Sequence, residues 1–164
     1  MSRVAVDLQE AFVRHQAGDL PEAERLYREI LCDDPAHSEA LHLLGVLAHQ
    51  TGHPAQAVEL INSAINPDPQ PRAMMWCNLG AAYQALGDFD SAIKSYRRAI
   101  ERDPQYADAQ HNLATALAAQ GQHAQAVAAY ERVLATHPRH RAARLNLGKS
   151  LQQLQRYDDA GACY

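Results

Sequence analysis

The chain has 164 residues, 47% of them hydrophobic, enough to bury a packed core and to exclude a disordered chain. Fifteen Lys+Arg against nineteen Asp+Glu leave a net charge of -4, which gives no general attraction to phosphate backbones or anionic lipid and argues against nucleic acid and membrane as partners. With two Phe and one Trp, burial must rest largely on Ala and Leu, which suits close helix packing better than a sheet sandwich.

The charge is unevenly spread: residues 1–69 carry four basic and eleven acidic side chains, a net of -7, and residues 70–164 carry eleven and eight, a net of +3. A rod built from this chain is expected to be electrically polar from end to end. Cys32, Cys77 and Cys163 are odd in number and lack disulfide or metal spacing, which favours a reducing, cytoplasmic setting. The opening MSRVAVDLQEAFVRHQ is charged throughout, without the apolar run of a signal peptide or a membrane span. The Ala- and His-rich usage leans bacterial.

A repeat organises the sequence, in five copies spanning about 4–37, 38–72, 73–106, 107–140 and 141–164. The first copy sets the columns: small Ala11, then Gly18, Ala23 and Pro35, with a helix expected from Leu20 to Cys32. It has Glu10 where the later copies have Leu44, Leu79, Leu113 and Leu147, so its outer face tolerates water, as a terminal repeat should. The second copy repeats the columns as Gly45, Gly52, Ala57 and Pro69, with one extra residue in its Pro67-Asp68-Pro69-Gln70-Pro71 connection. The third is the fullest: Trp76, Leu79, Gly80 and Tyr83, then Gly87, then Ala92 and Tyr96, then Pro104. The fourth gives Ala114, Gly121, Ala126, Tyr130 and Pro138. In the fifth, Gly148 and Ala160 persist, but Gln155 replaces the turn glycine, Gly161 falls within the second helix, and the sequence stops at Tyr164. It reads as a fragment of a longer protein.

Each column has a physical reason. Gly18, Gly52, Gly87 and Gly121, spaced by 34, 35 and 34 residues, should end the first helix of each copy where a left-handed residue is least strained. Pro35, Pro69, Pro104 and Pro138 should lie where the second helix cannot continue. The small residues at 11, 45, 80, 114 and 148 are expected to face the alanine column of the second helix and let two backbones approach closely. Apolar residues at helical spacing, such as Leu79, Tyr83 and Leu86, or Ala92, Ile93, Tyr96 and Ile100, are core stripes and not a cofactor box.

The Trp-x-x-Leu-Gly-x-x-Tyr, Gly, Ala-x-x-x-Tyr and Pro pattern of the third copy resembles the tetratricopeptide (TPR) family, and the resemblance covers nearly the whole chain. It implies an all-α fold in one domain, a right-handed solenoid of antiparallel helix pairs with four full repeats and a truncated fifth. The concave groove, lined by the first helices, would receive a partner polypeptide. Ala-Leu-His-Leu-Leu-Gly-Val-Leu-Ala at 40–48 further resembles the N-terminal repeats of bacterial O-linked N-acetylglucosamine transferase-like proteins.

On the groove side of three successive first helices stand Asn78, Asn112 and Asn146. A carboxamide offers both donor and acceptor, so such a column can pair with successive peptide groups of an extended chain. The column resembles the asparagine ladder of those transferases, which holds substrate backbone; Gln9 and Leu43 break it in the first two copies. The rest of the expected lining comprises Phe12, His42, Val46 and His49 early in the chain, then Met74, Cys77, Gln84 and Asp108, and finally His111, Thr115, Lys149 and Gln152. The family's basic clamp for C-terminal carboxylates is missing, since those columns hold Leu43, Cys77, Ala81 and Asp108.

His42 and His111 share a column, but two repeats separate them and no carboxylate or thiol completes a metal set. His137 and His140 with Arg139, Arg141 and Arg144 make one basic patch. No nucleophile set, phosphate loop or carboxylate pair stands out, so neither catalysis nor a cofactor is expected. The reading is a protein-interaction module. Two alternatives remain open: the substrate-recruiting N-terminal region of a larger transferase of O-linked N-acetylglucosamine, sulfotransferase or methyltransferase type, and a scaffold that self-associates through uncapped, oppositely charged ends.

Overall fold

The computed structural model describes residues 3–164, with side chains from Leu8 onward. The described residues form helices throughout, without strands: α1 (Arg3–Gln16), α2 (Leu20–Asp33), α3 (Ser38–Gln50), α4 (Pro54–Ile65), α5 (Ala73–Ala85), α6 (Phe89–Arg102), α7 (Ala107–Ala119), α8 (His123–Thr136), α9 (Arg141–Gln153) and α10 (Tyr157–Gly161). They fall into two compact units, one ending at Pro71 and the other spanning Arg72–Tyr164. The division lies within the proline-rich connection that holds the extra residue.

Helix boundaries follow local chemistry. Gly18, Gly52, Gly87 and Gly121 adopt φ of +80°, +81°, +77° and +79°, closing α1, α3, α5 and α7 in the left-handed region as the spacing predicted. Gln155 takes φ +60° at the same place in the fifth copy, so the turn survives there without the glycine that relieves its strain. Pro21 and Pro54 occupy first-turn positions of α2 and α4, where a missing N–H is harmless. The Asp88 carboxylate accepts from the Ser91 backbone N–H at 3.0 Å, capping α6, and Ser91 holds that carboxyl below its ordinary range. His37 and His140 do the same work for α3 and α9, each accepting through Nδ1 from the backbone N–H three residues on, at 3.2 and 3.1 Å.

The proline column needs one correction. Pro35, Pro104 and Pro138 sit two residues beyond the ends of α2, α6 and α8, but α4 stops at Ile65, so Pro67 and not Pro69 holds that place. Asn66, the residue before Pro67, still has helical dihedrals of φ -57° and ψ -42°, so the helix stops at the proline itself, which has no N–H to continue the ladder.

The packing inside three hairpins also differs from the expectation. Where the small residue of the first helix is glycine, at 45, 80 and 148, the side chain nearest to it lies four positions beyond the alanine. A Cβ on Gly80 would come within 2.6 and 2.7 Å of Tyr96 ring carbons, and one on Gly45 within 2.6 Å of Ile61 Cγ1. The alanine column contributes mainly its backbone, with the Ala57 carbonyl 3.3 Å from the Gly45 position. A helical side chain leans toward the N-terminus and covers the turn before its own Cα, so a ring at 96 covers the level of Ala92. Ala23, Ala57, Ala92 and Ala126 are fully buried, and Tyr27, Tyr96 and Tyr130 are among the largest fully buried side chains.

Candidate functional site

In the second unit the first helices α5, α7 and α9 lie side by side, α5 touching α7 and α7 touching α9. They carry Asn78, Asn112 and Asn146, one on each helix, all half-buried. Two of these carboxamides, those of Asn112 and Asn146, sit at repeat seams. Asn112 Nδ2 donates to Cys77 Sγ of the preceding repeat at 3.8 Å, and Asn146 bonds the Tyr130 hydroxyl, which also lies 3.0 Å from Thr115 Oγ1. The amides of Asn112 and Asn146 therefore help to hold neighbouring repeats in register while remaining partly exposed. Burial raises the Tyr130 phenol, and the Thr115 and Asn146 bonds partly offset the rise.

Two of the residues expected on the lining lie inside instead. Cys77 is 4% exposed and His42 is 1% exposed, so neither presents a surface to a partner. The physical reason is their register: the residue just before the asparagine column points between helices, while the column itself lies at the edge of the face. Burial pushes the Cys77 thiol up, which makes it a poor nucleophile.

The others are accessible to varying degrees. Met74, Asp108, Lys149 and Gln152 are exposed; Thr115, His111 and Gln84 are half-buried. Gln84 Oε1 is already engaged, accepting from the Tyr96 hydroxyl at 3.1 Å. In the first unit Phe12 is exposed, and Val46 and His49 are half-buried.

Thr115, Asn146, Lys149 and Gln152 come together at one concavity of about 400 Å³. Tyr130 and Ser150 line it too, with His123, Ala118, Ala119 and Gln153, none of which the sequence reading had placed there. The signal that could have found them is the last turn of each first helix, where the chain reverses and its side chains stand over the entry of the next helix.

The histidine at 111 has a different partner from the one its column suggested. Its ring stacks on His140 with centroids 4.7 Å apart and tilts against Tyr130 at 5.8 Å. Burial, then the charge of His140, lowers its proton affinity, opposed by Asp108. Among the described residues no group of three or more His, Cys, Asp or Glu could hold a metal ion. No helix among them is long and apolar enough to cross a membrane. The basic patch is partly tied down, since Arg144 donates to the Pro138 carbonyl at 2.5 Å.

A protein of this kind, paired helices at a fixed interval with small residues seating large ones, is a helical-repeat scaffold. Family models of the tetratricopeptide repeat match residues 14–75, 73–106 and 111–164. The chain belongs to the tetratricopeptide repeat family. Curated relatives include the probable UDP-N-acetylglucosamine--peptide N-acetylglucosaminyltransferase SPINDLY of Hordeum vulgare, 30% identical over 105 residues, covering 60% of this chain and 11% of that protein. The cellulose synthase 2 operon protein C of Komagataeibacter xylinus is 35% identical over 100 residues, 60% of this chain and 8% of its own length. The chain thus spans about a tenth of these relatives, and the matched stretch is repeats. Among solved structures, a crystal structure of MamA protein superposes with a TM-score of 0.89 at 26% identity, covering 98% of this chain and 87% of that one. YrrB, a TPR protein described as having an unusual peptide-binding site, superposes with a TM-score of 0.84 at 18% identity over 96% of this chain and 80% of its own, a likeness of fold.

Proposed function

We propose that this chain is a non-catalytic interaction module that takes an extended segment of a partner polypeptide along the first-helix face of its second unit. The observation that carries the reading is the asparagine column on α5, α7 and α9, leading to the concavity at Thr115, Asn146 and Lys149. Carboxamides at successive repeats pair with peptide groups and leave the side chains of the ligand unread, so the face favours backbone recognition over a tight sequence motif. Lys149 adds one cation, suited to a carboxylate or carbonyl at one end of the segment. In the first unit, taken by itself, Phe12, Val46 and His49 on α1 and α3 offer a more apolar set of side chains, without the asparagines.

The test is the joint replacement Asn78→Ala, Asn112→Ala and Asn146→Ala, followed by recovery of partners from the native host and identification by mass spectrometry. Partners held by the wild-type chain should be lost from a variant that remains helical. Undiminished recovery would remove the asparagine column from the binding surface.

A second reading rests on the SPINDLY relative: the repeats would present substrates to a catalytic domain elsewhere in a longer protein. Sequencing the gene beyond Tyr164 decides it, and a transferase domain in the same reading frame is the expected result under that reading.

A further inference from the structure

A second concavity in the Arg72–Tyr164 unit lies away from the asparagine column, between α6, α7 and α8. Its floor is Ile100, Pro104, Leu113 and Ala129, its rim carries Arg97, Arg132 and Glu101, the last paired with Arg98, and its volume is about 330 Å³. It shares Arg97 and Glu101 with an adjoining depression bordered by Trp76, Lys94 and Arg98. One wall is pinned by Gln110, whose Nε2 donates to the Pro104 carbonyl at 2.5 Å.

The two rim guanidiniums stand out by what they lack. Arg97 and Arg132 are exposed, and neither guanidinium has an ion-pair or hydrogen-bond partner among the described residues, while Arg98 is taken by Glu101 at 3.1 Å. Other repeats do not reproduce this rim. At the column of Arg97 the fourth copy has the acid Glu131, and the first copy has Arg28, which is already bonded to Glu24 at 2.8 Å. At the column of Gln110 the fifth copy has Arg144, spent on the Pro138 carbonyl. An apolar floor flanked by two free cations is therefore a property of this seam and not a by-product of the repeat.

We propose that this cleft binds an acidic polypeptide segment, seating one aliphatic side chain on Ile100, Pro104, Leu113 and Ala129 while flanking carboxylates accept from Arg97 and Arg132. The guanidinium fork matches a carboxylate in geometry as well as charge. The aliphatic floor has no aromatic face on which a nucleobase could stack, which favours a peptide over single-stranded nucleic acid. This site is separate from the first-helix face, so one chain can hold two polypeptides at once, as a bridging scaffold does.

A fluorescein-labelled peptide with one leucine between runs of three glutamates, followed by anisotropy against the full chain, tests the assignment. Saturable binding that weakens with added salt is expected. The double variant Arg97→Gln, Arg132→Gln should weaken it at least about tenfold with an unchanged thermal midpoint, since both residues are exposed and each would forfeit a charge-assisted bond. The peptide with serine in place of leucine should bind more weakly, and Asn112→Ala with Asn146→Ala should leave the affinity unchanged. Absence of saturable binding, equal affinity for the double variant, equal binding of a lysine-flanked peptide, or stronger binding of an oligouridylate would each overturn the proposal. Loss of binding in the asparagine variant would instead return the peptide to the first-helix face.

Discussion

The hairpin α3–α4 of the first unit and the hairpin α5–α6 of the second solve one packing problem with different residues. In α5–α6, Gly80 admits the ring of Tyr96, and the tyrosine hydroxyl donates to Gln84 across the hairpin at 3.1 Å. In α3–α4, Gly45 admits Ile61, which has no hydroxyl, and His49, in the column of Gln84, has a buried Nδ1 with no hydrogen-bond partner. The first hairpin shows the paired version again: His15 Nε2 donates to Gln50 at 2.8 Å, which leaves Nδ1 to accept from the Tyr27 hydroxyl at 3.2 Å. The contrast teaches that the tyrosine column does two jobs, filling the hairpin centre and satisfying a polar group on the first helix, and that the second copy performs only the first.

The largest effect should come from Gly80→Ala, because the new Cβ meets a rigid, fully buried ring; overpacking of this kind costs about 1–3 kcal/mol, read as a lower midpoint in urea unfolding. Gly45→Ala should cost less, since Ile61 can turn about its side-chain bonds while the Tyr96 ring cannot bend. Equal losses at the two sites would erase the contrast. Ala11 and Ala114 hold the same column in other copies and are fully buried in one core cluster with Tyr27 and with Tyr130 respectively, so the penalty at Gly80 reflects how closely these two helices have settled and not an absolute ban on a methyl group.

Next in size is Ile61→Tyr, which should stabilise the chain by about 0.5–1.5 kcal/mol by giving the His49 nitrogen a donor. The same substitution in a His49→Ala background should gain less, and a double-mutant cycle by chemical unfolding measures the difference.

The smallest effect is confined to the second unit. The half-buried His111 binds its proton less readily when folded than when unfolded, so neutral His111 contributes stability that is fully present above the ordinary histidine pKa of 6.5 and is lost as pH falls below it and through the lower folded-state value. Unfolding midpoints should drop between pH 7.5 and pH 5, and His111→Gln should flatten the drop. A wild-type and variant of equal slope would place the pH dependence elsewhere.

Much of this was legible in the sequence. The turn glycines announced their own conformation, because positive φ is a local property of four residues and does not wait for tertiary contacts. The helix pairs followed from a fixed interval of small and large residues, which any stack of identical units must keep. The asparagine column was visible for the same reason, as a position counted from those landmarks. Cys77 and His42 were misplaced because a lining residue and a seam residue differ by one position, or about 100° around the helix, and only the crossing of the neighbouring helices says which of the two faces outward.

The sequence by itself settled the class of fold, the interval and the turns, since these depend on backbone conformation and on side-chain size within single hairpins. The tertiary structure decided which residue sits opposite each small one, that His111 stacks on His140, and that the guanidiniums of Arg97 and Arg132 are left free around an aliphatic cleft. Those outcomes depend on where side chains from non-adjacent turns meet, and packing between helices, not periodicity along them, determines that.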